Sequence, residues 1–71
     1  MNELISMKEV GERLRALRGV RTRTGAAKQM GLSYSALCKY ETGAKRPNDE
    51  TKVRIANFYG KTVQEIFFDQ Q

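Results

Sequence analysis

Met7, Val10, Leu14 and Leu17 stand three, four and three residues apart, which puts four apolar side chains on one helical face. Ser6-Met7-Lys8-Glu9 precedes them as a Ser-x-x-Glu capping box, and Gly19 can take the left-handed conformation that closes a helix. Thr22 can cap a second helix that has to stop by Gly31, although Gly25 inside it costs about 1 kcal/mol relative to alanine. Ser33 caps a third, with Gly43 as its stop, and Ala44-Lys45-Arg46-Pro47-Asn48 reads as a loop by its proline and lack of apolar residues. Asn48 can cap a fourth helix, apolar at Val53, Ile55, Ala56, Phe58 and Tyr59, which Gly60 closes. Thr62-Val63-Gln64-Glu65 is a second capping box and opens a short fifth helix with Val63, Ile66 and Phe67 inward. The predicted helices therefore run over 7–18, 23–30, 34–42, 49–59 and 63–68. No run alternates apolar and polar residues long enough for a half-buried strand. The expected fold is all-α: five short helices in a single domain spanning 1–71.

The second and third helices meet through a very short turn, and such a corner has definite needs. It requires a small side chain where the axes come closest, a residue that tolerates positive φ, and apolar residues flanking the crossing. Ala27, Gly31 and the set Ala26, Met30, Leu32, Leu37 and Tyr40 meet these needs. On a 100° wheel, Ser33, Leu37 and Tyr40 cluster toward the core, while Ser35, Cys38, Lys39 and Thr42 lie opposite, with Tyr34 on the flank. A small polar face with one long cation suits the major groove of a duplex, where side chains near the N-terminal end of a helix reach base edges.

Composition narrows the chemistry. The chain has 71 residues, so one small core is expected, worth no more than about 3–5 kcal/mol. It contains no histidine and one cysteine, Cys38, which excludes an intrachain disulfide and a multi-thiol metal site. Nothing resembles a nucleophile–base–orienter set, so the protein is expected not to be an enzyme and to use no cofactor or metal. The uncharged run between Gln29 and Cys38 is about half the length a membrane-spanning helix needs, and Met1–Met7 carries no leader pattern. A cytoplasmic setting is the simplest expectation. The net charge of +5 is unevenly placed. Residues 13–46 hold Arg13, Arg15, Arg18, Arg21, Arg23, Lys28, Lys39, Lys45 and Arg46 against Glu41 alone, whereas acidic residues outnumber basic ones on both flanks. A contiguous positive segment is what a polyanion would meet.

The stretch "TRTGAAKQMGLSYSALCKYETGAKRP" resembles the helix-turn-helix of phage Cro and repressor-type regulators, the lambda-repressor-like class often labelled XRE. The likeness extends to "LRALRG" before it and "IANFYGKTVQEIFF" after it, so it covers about Val10 to Phe68. It is especially similar to small regulators of Gram-positive bacteria, their phages and mobile elements. The resemblance implies a compact five-helix domain that binds double-stranded operator DNA, usually as a homodimer. It places base-reading positions on Tyr34, Ser35 and Lys39, with Cys38 on the same face. Tyr34 would pack on a thymine methyl or lie along the backbone. Phosphate-contacting positions fall on Thr22, Arg23, Ser33, Lys45 and Arg46, and Arg21 adds salt-sensitive affinity. The family usually has glutamine where Arg23 stands and acidic residues where Thr24 and Gly25 stand. Glu41 in "YETG" is expected to pair with an arginine of helix one, Arg18 or else Arg15.

The sequence reading is thus a DNA-binding transcriptional regulator, a repressor or Cro-like switch component. No small-molecule ligand, membrane contact or appended effector domain is expected, so control would come from abundance, dimerisation, a partner protein or proteolysis. Ile66, Phe67 and Phe68 put apolar side chains around more than one face of helix five, which makes them dimer-interface candidates. The alternative is an antitoxin or anti-regulator that uses the same scaffold to bind another protein.

Overall fold

The computed structural model of the protein describes residues 5–68. The expectation that Met1–Met7 carries no leader concerns residues that lie partly outside that range. Five helices follow one another: α1 (Met7–Arg18), α2 (Arg23–Met30), α3 (Tyr34–Thr42), α4 (Asp49–Tyr59) and α5 (Val63–Phe67). Each begins at a short polar side chain. Ser6, Thr22, Ser33, Asn48 and Thr62 each accept a hydrogen bond from the backbone N–H three residues on, at 2.9–3.1 Å. At α5 the cap is reciprocal, with the Thr62 N–H donating to Glu65 Oε1 at 2.8 Å. The box expected at α1 is only half formed, because the Glu9 carboxylate turns to Arg13 at 3.0 Å. A charged donor one turn away outcompetes a neutral N–H.

The core gathers Val10 and Leu14 of α1, Ala26, Ala27 and Met30 of α2, Leu37 and Tyr40 of α3, Ile55 and Ala56 of α4, and Ile66 and Phe67 of α5. Two apolar expectations fail at this level. Met7, at the first position of α1, is exposed, while Leu17 packs partly buried against the core. On α4 the buried stripe is Lys52, Ile55 and Ala56, and Val53 is 50% exposed. Val53 lies two residues from Ile55, about 200° round the helix, and so falls off the stripe. Lys52 takes an inward place because its stem is apolar: Nζ sits 5.9 Å from the Phe67 ring centroid and 3.6 Å from Asp49 Oδ1.

Helix α5 ends one residue earlier than expected, with Phe68 as an extended C-cap at φ −123° and ψ 159°. Ile66 and Phe67, expected as dimer-interface candidates, are buried within the chain's own core, and only Phe68 keeps part of its surface. The reason is geometric. Arg13 Nη1 donates to the carbonyls of Glu65, Ile66 and Phe68 at 3.0, 3.3 and 3.1 Å, which fastens the end of α5 against α1. With that end fastened, the Ile66 and Phe67 side chains point into the core and leave Phe68 as the candidate with surface exposed.

Candidate nucleic-acid interface

The position of α3 is set chiefly at its C-terminal half. Gly11 of α1 is buried against it, and a Cβ built there would fall 2.8 Å from the Glu41 carbonyl carbon and 3.1 Å from the Tyr40 oxygen. No side chain fits at that crossing, so the α1 backbone rides directly on α3. Arg15 Nη1 donates to the Glu41 carbonyl at the same place. The other end of α3 is held by the turn from α2. Gly31 takes the left-handed conformation, φ 74° and ψ 28°, and the Leu32 N–H reaches back to the Ala27 carbonyl at 2.8 Å. Ala27 is buried beside this corner, as its small size requires. The C-terminal half of α3 is therefore clamped, while its first turn projects into solvent.

That projection leaves a definite face. Tyr34 is 53% exposed, Ser35 and Lys39 are exposed, and Cys38 is partly buried between them and the body. Leu37 and Tyr40, on the opposite side, are buried as the wheel predicts. Ser33, expected inward, is exposed and serves as the cap, its Oγ accepting from the Ala36 N–H at 3.0 Å. Thr22 does the same for α2 with the Gly25 N–H. Both hydroxyls keep their own proton free to donate outward.

Beneath the face lies a buried carboxylate. Glu41 is 0% exposed, and its two oxygens accept from Arg18 Nε at 2.8 Å and Arg23 Nε at 2.9 Å. The pairing expected with Arg18 is present. Arg15, the alternative, reaches the carbonyl of the same residue rather than its carboxylate. Arg23 is the addition: its side chain is 37% exposed, so one edge of the guanidinium holds Glu41 and the other faces outward. The hydrogen bond to Glu41 holds the Arg23 pKa above its ordinary value, and Tyr34 contributes in the same direction. Two arginines therefore neutralise one acid at the α2–α3 seam and leave a net positive charge beside Tyr34 and Cys38.

The structure redistributes the cations of residues 13–46. Arg13, Arg15 and Arg18 are committed to backbone carbonyls or to Glu41. Arg21, expected to meet phosphate, lies with its guanidinium carbon 5.4 Å from the Phe58 ring centroid and 5.9 Å from that of Tyr59. Arg46, also expected to meet phosphate, turns inward and donates to the Ile5 carbonyl at 3.3 Å, and its Nη1 is buried. Its guanidinium thus ties the α3–α4 loop to Ile5 and is turned away from solvent at Nη1. Lys28, Lys39 and Lys45 are exposed, and no ion pair among the described residues engages their ammonium groups. No three His, Cys, Asp or Glu residues group as a metal site among the described residues, and no helix there is long and apolar enough to cross a membrane.

The sequence over residues 9–66 matches the helix-turn-helix domain family. The chain belongs to this family. Solved structures agree on the fold. The restriction-modification controller protein C.AhdI from Aeromonas hydrophila is similar with a TM-score of 0.78 at 24% identity, covering 86% of this chain and 96% of that one. The DNA-binding domain of the P22 C2 repressor is similar at 0.77 and 22% identity, over 87% of this chain and 84% of that one. ComR from Streptococcus suis is similar at 0.77 and 30% identity; the match covers 90% of this chain but 22% of ComR. No curated protein matches the chain in sequence. As a helix-turn-helix protein of the DNA-binding regulator type, the chain presents α2 and α3 as its two-helix unit.

Proposed function

We propose that the protein is a sequence-specific transcriptional regulator, a repressor or Cro-like switch, that reads the major groove of operator DNA with α3. The observation that carries this reading is the exposed face of α3, with Tyr34 and Ser35 in its first turn and Lys39 further along it outward, and Leu37 and Tyr40 buried behind them. Side chains near the N-terminus of a second helix are those that reach base edges in this docking geometry. Lys39 is the donor suited to guanine O6 and N7, and Tyr34 and Ser35 supply shape and a hydroxyl. Cys38, partly buried, borders the contact. Thr22, Ser33, Lys45 and the exposed part of Arg23 are the phosphate contacts in this reading, supported by their exposure.

We further propose that it acts on DNA as a homodimer on a near-palindromic site. On such a site the two reading helices would stand one duplex turn, about 34–36 Å, apart. The neighbours that support a regulatory role are a restriction-modification controller protein and a repressor.

Selection of binding sites from a random duplex pool tests the reading directly. The expected product is a two-fold symmetric sequence, and Lys39→Ala should weaken binding to it by about 1–3 kcal/mol while relaxing one position per half-site. Uniform weakening on all duplexes would make Lys39 a phosphate contact instead. Selection that enriches no sequence would sink the assignment.

A further inference from the structure

Arg54 of α4 stands outside the two-helix unit, yet its side chain ends on the corner of that unit. Its Nη1 donates to the Gly31 carbonyl at 3.3 Å and lies 3.1 Å from where a Gly31 Cβ would be. Its other interaction is with Glu50 one turn earlier, at 3.9 Å between Nη2 and Oε1. These are the loosest bonds of any arginine held by an acid in this structure, and at 47% its side chain is the most exposed of them. Arg18 and Arg23, by comparison, sit within 2.9 Å of a fully buried carboxylate. Arg54 is thus a cation that is localised but not consumed.

Its location gives it a use. Gly31 is three residues before Tyr34, so the Arg54 guanidinium lies within about 10 Å of chain from the first reading residue. At the other end of α2, eight residues away, stands Arg23. Eight residues of helix span about 12 Å. The major groove is also about 12 Å wide. With Arg23 at the first residue of α2 and the Arg54 guanidinium of α4 against its C-cap, two cations flank a span close to the separation of the two phosphate ridges that border the groove.

We propose that Arg54 is a phosphate-binding residue on the far ridge of the groove, paired across α2 with Arg23 on the near ridge. The inference rests on the reading that α3 enters the major groove. Its ligand is a backbone phosphate diester of duplex DNA, so it contributes affinity and register without choosing bases. The contact with the Gly31 carbonyl holds the guanidinium ready at the corner, and the exposed Glu50 is its partner in the absence of DNA.

The test measures binding of the whole chain to its selected duplex, by fluorescence anisotropy, as a function of salt. Arg54→Gln keeps an N–H for the Gly31 carbonyl and removes the charge, whereas Arg54→Lys keeps the charge. For Arg54→Gln the slope of log K against log salt should become shallower by about 1 per protomer, with the melting temperature and the selected sequence unchanged. Arg54→Lys should keep the wild-type slope. An unchanged slope in Arg54→Gln overturns the inference, whether or not stability or base preference changes, and so does an equal loss of slope in Arg54→Lys. Failure of the underlying reading is separate: it would show in the wild-type protein as binding without sequence preference.

Discussion

Glu41 organises the residue scale. Burying a carboxylate completely is costly unless charged donors accompany it, and here two arginine side chains meet its oxygens while a third meets its carbonyl. The same spot hosts the tightest backbone approach, at Gly11. Gly11→Ala should therefore destabilise the fold by about 1–3 kcal/mol in chemical denaturation, because the atoms a methyl would meet are backbone and cannot swing aside. In a solvent-facing helical position the same change would stabilise by up to about 1 kcal/mol, so the sign of the shift decides the matter. Gly11 carried no signal in the sequence beyond being a glycine in a helical run. Its meaning came from what crosses it.

At the scale of elements, the caps account for much of the agreement between sequence and structure. Five short polar residues at the expected places each hold the first turn of a helix. Local hydrogen bonds of this kind depend on spacing alone, which is why the helices were legible without tertiary information. The reciprocal cap on α5 carries a pH signature. The backbone N–H of Thr62, and then its hydroxyl, hold the Glu65 carboxyl below its ordinary pKa of 4.5. A carboxyl depressed on folding contributes stability above its unfolded pKa and loses it as the pH falls through the lower folded value. Glu65→Gln should thus lower the melting temperature near neutrality, and its difference from wild type should shrink as the pH drops below about 4.5. A difference independent of pH would mean that the charge on Glu65 plays no part in the cap. The shortfall at α1 has the opposite lesson: the Ser6 cap formed, but the box did not close, because Arg13 claimed the Glu9 carboxylate.

For the whole molecule the question is how much positive charge can touch a polyanion. Residues 13–46 hold nine cations, and if each met a phosphate the salt slope would approach about −8 per protomer. The fold commits Arg13, Arg15, Arg18, Arg21 and Arg46 to carbonyls, Glu41 or aromatic rings. What remains outward for phosphates is Lys28, Lys45 and part of Arg23, with Arg54 added from α4, since Lys39 is assigned to a base edge. The slope on cognate DNA should accordingly lie near −4 per protomer, at about −0.9 for each phosphate neutralised. A titration across salt concentrations near −8 would show that the committed arginines let go on binding. The internal arginines still raise the field around the face, so encounter is steered by more charge than contact uses.

By itself the sequence determined the number of helices, their caps, the Gly31 corner and the outward side of α3, because each depends on spacing along one helix or on one residue's backbone preference. It also held the Glu41 pairing with α1, through a resemblance rather than through geometry. Only the tertiary structure decided where the arginines end, that Gly11 is the crossing point, that Ile66 and Phe67 are spent on the chain's own core, and that Arg54 reaches the corner of the two-helix unit. An arginine side chain is long enough to choose among partners far apart in the chain. Which partner it takes depends on distances that no local pattern encodes.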